Sequence, residues 1–180
     1  GGKVVAKAGG TVVLTPGGEI YSALERGVID ASEWVGPHDD MKLGLHQTAK
    51  YYYYPGWHEP GTTGEFTFSK KHYDALPADL RHILDYAAAA MHTFMFMEYE
   101  SKNGIALQKL RTEFKSKVEI LQVPAAVLQE LKKMAGEVNK EESEKTPIAK
   151  KVYASYTKFQ SYISDWNKLS EGPYQNFIAG

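Results

Sequence analysis

The spacing of apolar residues changes near residue 70, and the change divides the chain into two kinds of territory. Before it, short runs of β-branched and aromatic residues are separated by glycine and proline. Residues 11–14 (TVVL), 31–35, 51–54 (YYYY) and 65–69 (EFTFS) each fit a short strand. Residues 1–8 fit the end of a helix closed by Gly9 and Gly10, and residues 19–26 fit a second helix stopped by Gly27. Strands alternating with short helices predict an α/β arrangement with a partly parallel sheet.

Beyond residue 70 the apolar positions recur at helical spacing. Pro77 opens a helix that places Leu80, Ile83, Leu84, Ala87, Met91 and Phe94 on one side. Leu110 and Phe114 extend that side to about Lys117, with Gly104 as the weak point of the rod. Residues 118–123 (VEILQV) fit a further strand, and Pro124 precedes a helix carrying Val127, Leu131, Met134 and Val138. The charged stretch NKEESEK around residue 142 fits a solvated helix surface or a link. In the last helix Val152, Tyr156, Phe159, Ile163 and Trp166 are spaced four, three, four, three. Such a seam lies either against its own domain or against a partner subunit.

Bulk properties narrow the function. At 180 residues and 20.1 kDa the chain is long enough for one sizeable core. Its net charge of -1, from 21 basic and 22 acidic residues, provides no basic stripe for nucleic acid or acidic lipid. With no cysteine, disulfides and thiolate metal sites are excluded, which fits a cytosolic or an exported protein alike. No apolar run is long enough to span a bilayer. The chain opens at Gly1 without an initiator methionine, so a mature form or, as the preferred reading, a piece of a longer chain is expected.

Few residues propose catalysis. In GWHEPG, His58 adjoins Glu59 without the helical HExxH spacing of a zinc peptidase. His38, Asp39 and Asp40 lie at a helix start, where carboxylates cap. His46, His72, His82 and His92 occupy surface-like helical positions. The glycines at 9–10 and 17–18 have the wrong spacing for a phosphate or dinucleotide loop. In a strand, the four tyrosines put only two rings on each face, so two line the core and a base-stacking platform is disfavoured. What remains is a pair of segments of the same form, DASEWVGPHDD and YYYYPGWHEPG: a strand, an acid or aromatic at its end, then glycine and proline. Carboxyl ends of strands face the ligand crevice in open α/β folds. Trp34 and Trp57 there enclose the apolar part of a small solute, and Glu59 holds a cation or a hydroxyl; a purely structural pair of turns is the alternative.

TPGGEIYSALERGVIDASEWVGPHDD followed by AKYYYYPGWHEPG resembles the C-terminal half of the extracytoplasmic solute receptors of tripartite ATP-independent periplasmic (TRAP) transporters. The similar branch binds 2-oxo acids such as pyruvate, or monocarboxylates such as lactate. The resemblance extends to KVYASYTKFQSYISDWNKLSEGPY, which is similar to the terminal helix of a swapped dimer. It implies part of a two-lobed, type II-like periplasmic binding protein with long C-terminal helices. Residues 1–70 would belong to an α/β ligand-binding lobe, 71–142 to long helices and a bracing strand, and 143–180 to a dimerisation helix.

By the same resemblance the substrate lies with a metal ion, sodium or alternatively calcium. Trp34 packs at the ligand and offers its backbone carbonyl to the metal, Glu59 offers its carboxylate, and Glu33 and Trp57 are further wall candidates. No role is implied for His58. Oxygen ligands suit a hard cation, whose charge offsets Glu59 and the substrate carboxylate. The family clamps that carboxylate with an arginine from an upstream strand, and an upstream glutamine helps hold the metal; residues 1–180 include neither. Arg26 at a helix end, and Arg81 and Arg111 in the long helical region, are poor substitutes. The implied protein is a receptor and not an enzyme, working in the periplasm with TRAP membrane subunits. A metal-assisted enzyme acting on small oxo acids and a helical interaction scaffold are the rivals.

Overall fold

The computed structural model describes residues 1–59, 61 and 64–179. Most of them are helical. The order is α1 (Gly2–Lys7), α2 (Gly17–Glu25), α3 (Pro37–Lys42), α4 (Leu45–Thr48), β1 (Tyr51–Tyr54), α5 (Lys70–Asp74), α6 (Ala78–Thr112), β2 (Glu119–Gln122), α7 (Ala125–Ser143), α8 (Pro147–Asn167) and α9 (Glu171–Ala179). Gly9 and Gly27 adopt φ of 91° and 66°, the left-handed conformation that stops α1 and α2 where the sequence places a stop.

Among the described residues the sheet is reduced to β1 and β2, paired in parallel with Tyr51 opposite Glu119 and Tyr54 opposite Gln122. The strands expected at 11–14, 31–35 and 65–69 do not form. Their residues are apolar enough, but strand preference reflects packing on a pleated surface, and here that surface is lacking. Leu14 is 98% exposed, and Phe66 and Phe68 are also exposed. At the end of 31–35 the Val35 amide, with that of Gly36 just beyond it, donates to the side chain of Asp40 instead of to a neighbouring strand.

Two compact units group Gly1–Val12 with the chain from Ala125 onward, and Val13–Pro124 by itself. In the first, α1 packs on α7 with Val4 and Val138 buried, and Lys7 reaches Glu137 and Glu141 at 2.9 and 3.0 Å. Thr146 caps α8 by accepting from the Ala149 amide at 3.1 Å, and Pro147 occupies the first turn, where its missing N–H is harmless. No residue of α8 is buried.

In the second unit Ile20, Ala23, Leu45, Ala106, Leu110 and Val118 form the core. The 35 residues of α6 run unbroken through Gly104, a rod of roughly 50 Å at 1.5 Å per residue. No described helix is long and apolar enough to cross a membrane.

Candidate functional site

One buried carboxylate ties the two candidate segments together. Asp40, on α3, accepts from the Val35 and Gly36 amides at 3.2 and 3.1 Å through one oxygen. Its other oxygen accepts from the Tyr52 hydroxyl at 2.6 Å. The turn after Trp34 is thereby fixed to strand β1, whose carboxyl end leads into Trp57, His58 and Glu59. Burial pushes the Asp40 carboxyl above the usual carboxylate range, and the hydrogen bonds from Tyr52, Val35 and Gly36 pull partly against it. Burial together with the bond to Asp40 pushes the Tyr52 hydroxyl far above its ordinary value. The backbone amide of His38 donates to Asn103 Oδ1 at 3.0 Å, which anchors the start of α3 on α6.

The helix-start reading of the acid pair therefore holds for Asp40 and is incomplete, because the same side chain reaches across to β1. The reading of the tyrosine run needs correction. Only Tyr52 turns inward, through its hydroxyl, whereas Tyr51, Tyr53 and Tyr54 are exposed.

Trp34 rests on the first turn of α2. A Cβ at Gly17 would lie 2.6 Å from its ring, so the indole occupies space that any side chain there would need. Trp34 is still 38% exposed, so part of the residue remains accessible. Among the described residues nothing donates to the Trp34 carbonyl. Next to it, Oε2 of Glu33 lies 3.8 Å from Nε2 of His58, too far for a strong hydrogen bond but close enough for the two segments to lie alongside. The His58 ring packs on Trp57 with centroids 4.7 Å apart, and its Nδ1 is buried without a partner among the described residues.

Glu33, Trp34, Trp57 and His58 thus belong to one local arrangement, with Glu59 directly following. Glu59 is exposed, so its charge needs no partner to offset burial. Among the described residues no group of three or more His, Asp or Glu side chains is placed to hold a metal. A cation here would draw on Glu59, on backbone oxygen and on the solute itself. Carboxylate and backbone carbonyl oxygens are the kind of ligands a hard cation takes.

The arginines give no anion clamp. Arg26 donates to the Ser22 carbonyl at 3.1 Å, at the end of α2. Arg111 lines a cavity of about 420 Å³ with Lys50, Lys115 and Lys117, and none of the site candidates borders it. Arg81 lies on α6 with its Nε buried and without a partner among the described residues. His46, expected at a surface-like position, is buried edge-on against Phe114 at 4.5 Å, and burial lowers its pKa.

Sequence reasoning missed Gly17, Tyr52 and His58. Gly17 and Tyr52 sit in runs of their own kind, and nothing local singles one member out. His58 has a partner 25 positions away by sequence number, Glu33, that no local spacing reveals.

A mostly helical fold here carries an aromatic wall next to exposed carboxylates. Residues 1–146 match bacterial extracellular solute-binding protein family 7. The chain belongs to this family, which places it in the periplasm. It is 37% identical over 179 residues to a monocarboxylate 2-oxoacid-binding periplasmic protein of Nostoc sp., covering 99% of this chain and 48% of the relative. It is similar to a TRAP periplasmic solute-binding protein from Colwellia psychrerythraea with bound calcium and pyruvate, at 36% identity and a TM-score of 0.91 over 97% of this chain and 53% of that one. The same identity, TM-score and coverage hold for a TRAP solute-binding protein from Pseudoalteromonas atlantica T6c with bound sodium and pyruvate. The chain spans about half the length of these relatives.

Proposed function

We propose that the chain supplies one wall of an extracytoplasmic receptor that captures a small monocarboxylate, pyruvate or another 2-oxo acid, for TRAP membrane subunits. The supporting observation is the coincidence of two independent facts. Relatives at 36% identity carry pyruvate with calcium or sodium. In this chain Glu33 and His58 bring the segment of Trp34 beside that of Glu59.

Trp34 and Trp57 form the apolar wall, and Glu33 borders it. The Trp34 carbonyl and the Glu59 carboxylate would hold the metal ion, sodium or calcium. Once bound, the ion offsets negative charge on both Glu59 and the solute. The receptor makes and breaks no covalent bond and returns its solute unchanged. Residues 1–70 contribute to the ligand-binding lobe, 71–142 brace it, and the apolar side of α8 joins two copies into a dimer.

Titration of the full-length protein with pyruvate, followed by tryptophan fluorescence in sodium, potassium and calcium buffers, tests this reading. Saturable change that requires sodium or calcium is expected. A flat response to pyruvate and lactate in all three buffers overturns it.

A further inference from the structure

We infer that Asp40 is a positioning residue of the solute site, holding Trp34 and its carbonyl in place through the Val35 and Gly36 amides and taking its own reference from strand β1 through Tyr52. Four observations converge on it. Asp40 is only 9% exposed, yet it carries an acid where an apolar residue would ordinarily sit. All three of its contacts serve the site: two at the residues immediately after Trp34, one on the strand that leads to Trp57 and Glu59. The segment it holds has no ladder of its own, so these bonds replace the strand the sequence predicts. Gly17 leaves room for the indole against α2, which limits how far the ring can approach the helix without fixing the backbone behind it.

A buried carboxylate is costly, and burial raises the Asp40 carboxyl above its ordinary range, so stability alone would favour an amide or an apolar residue. Position gives the acid its use. One carboxylate can accept two adjacent amides and one hydroxyl at once, and a serine or threonine cannot reach the same span. Supporting groups of this kind typically set ligand affinity by 10–100-fold, although they touch neither ion nor solute.

The inference rests on the receptor reading, and the test separates the two. Full-length protein is labelled with 5-fluorotryptophan, and the Trp34 fluorine resonance is assigned by its loss in Trp34→Phe. Three variants are compared: Asp40→Ala, which removes all three bonds; Asp40→Asn, which can still accept the amides; and Tyr52→Phe, which removes only the tie to β1. The Trp34 resonance is expected to broaden or shift in Asp40→Ala and Tyr52→Phe with no solute present, and to stay near its wild-type position in Asp40→Asn. Pyruvate affinity at saturating cation is expected to fall about 10–100-fold in Asp40→Ala, several-fold in Tyr52→Phe and less than about 3-fold in Asp40→Asn.

Should Asp40→Ala fail to fold, Tyr52→Phe carries the test alone. A wild-type Trp34 resonance and affinity in a folded Asp40→Ala or Tyr52→Phe overturns the inference. So does an Asp40→Asn as impaired as Asp40→Ala, which would make charge the operative property. If the wild-type protein binds neither pyruvate nor lactate, the receptor reading fails, and the solute-free resonances still decide the role of Asp40.

Discussion

The surroundings of Asp40 and the surface of α8 treat their difficult groups in opposite ways. Around Asp40 a buried charge is satisfied within a few residues, by two amides and a hydroxyl. Along α8 a seam of large apolar residues is left uncovered, from 44% exposure at Ile163 to 65% at Trp166. The first arrangement is self-sufficient and can be set by the chain alone. The second leaves its driving force unused, since covering each such side chain is worth about 1.5–3 kcal/mol. The contrast separates a polar group satisfied within the chain from an apolar seam left exposed on its surface.

The largest effect is expected on removing Glu59, the exposed carboxylate proposed to hold the cation. Glu59→Gln is expected to weaken cation-dependent pyruvate binding by more than about 100-fold, beyond the usual cost of an outer support, with little change in melting temperature because the side chain is exposed. Isothermal titration in calcium and in sodium checks it. The second half of the contrast yields to Phe159→Glu, which places a charge in the middle of the α8 seam. A shift from dimer to monomer in light scattering is expected, with pyruvate affinity per subunit unchanged. A protein that is monomeric before the substitution removes the partner from the account.

A smaller effect is expected at Gly17→Ala. The added Cβ would fall 2.6 Å from the Trp34 ring, and the partly exposed indole can move aside. Affinity is expected to drop about 3–10-fold and stability to change by less than about 1 kcal/mol.

The smallest effect is a slope rather than a loss. Because Asp40 binds its proton more tightly folded than unfolded, its contribution to stability is complete below the unfolded value of about 3.9 and diminishes as pH rises through the raised folded value. Asp40→Asn removes that slope, so the variant is expected to gain melting temperature relative to wild type between acid and neutral pH. Parallel thermal scans across that interval would show it, and parallel curves for the two proteins would refute it.

Helices were legible in the sequence and strands much less so. Gly27 and Pro77 mark their boundaries through backbone geometry that any context must respect. The long α6 and the α8 seam follow from spacing alone. Strand formation needs a neighbour, and the runs at 11–14 and 65–69 carry every local sign of a strand while finding no ladder among the described residues. The 51–54 run finds one, from a segment 68 positions later by the pairing of Tyr51 with Glu119. At the candidate site the sequence proposes Trp34, Glu59 and their neighbours, because a motif carries them. Its supports were not: Asp40 looked like a helix cap, and His58 had no evident partner, because both act across distances that local spacing does not record.

Strand β1 has one more consequence. A strand made of four identical residues carries no register information of its own, since a slide by two positions would present another tyrosine hydroxyl to Asp40 with the same face inward. The boundaries must supply what the repeat cannot. At one end the Glu119 amide donates to the Lys50 carbonyl at 2.8 Å, and at the other the Val123 amide donates to the Tyr54 carbonyl at 2.8 Å. Pro55 follows directly and has no N–H with which to extend the ladder. The run behaves as a ruler without markings, and its alignment is read from its two ends. Lengthening or shortening it by a single tyrosine would move Trp57 and Glu59 by about 3.3 Å relative to Trp34 while leaving its composition almost unchanged.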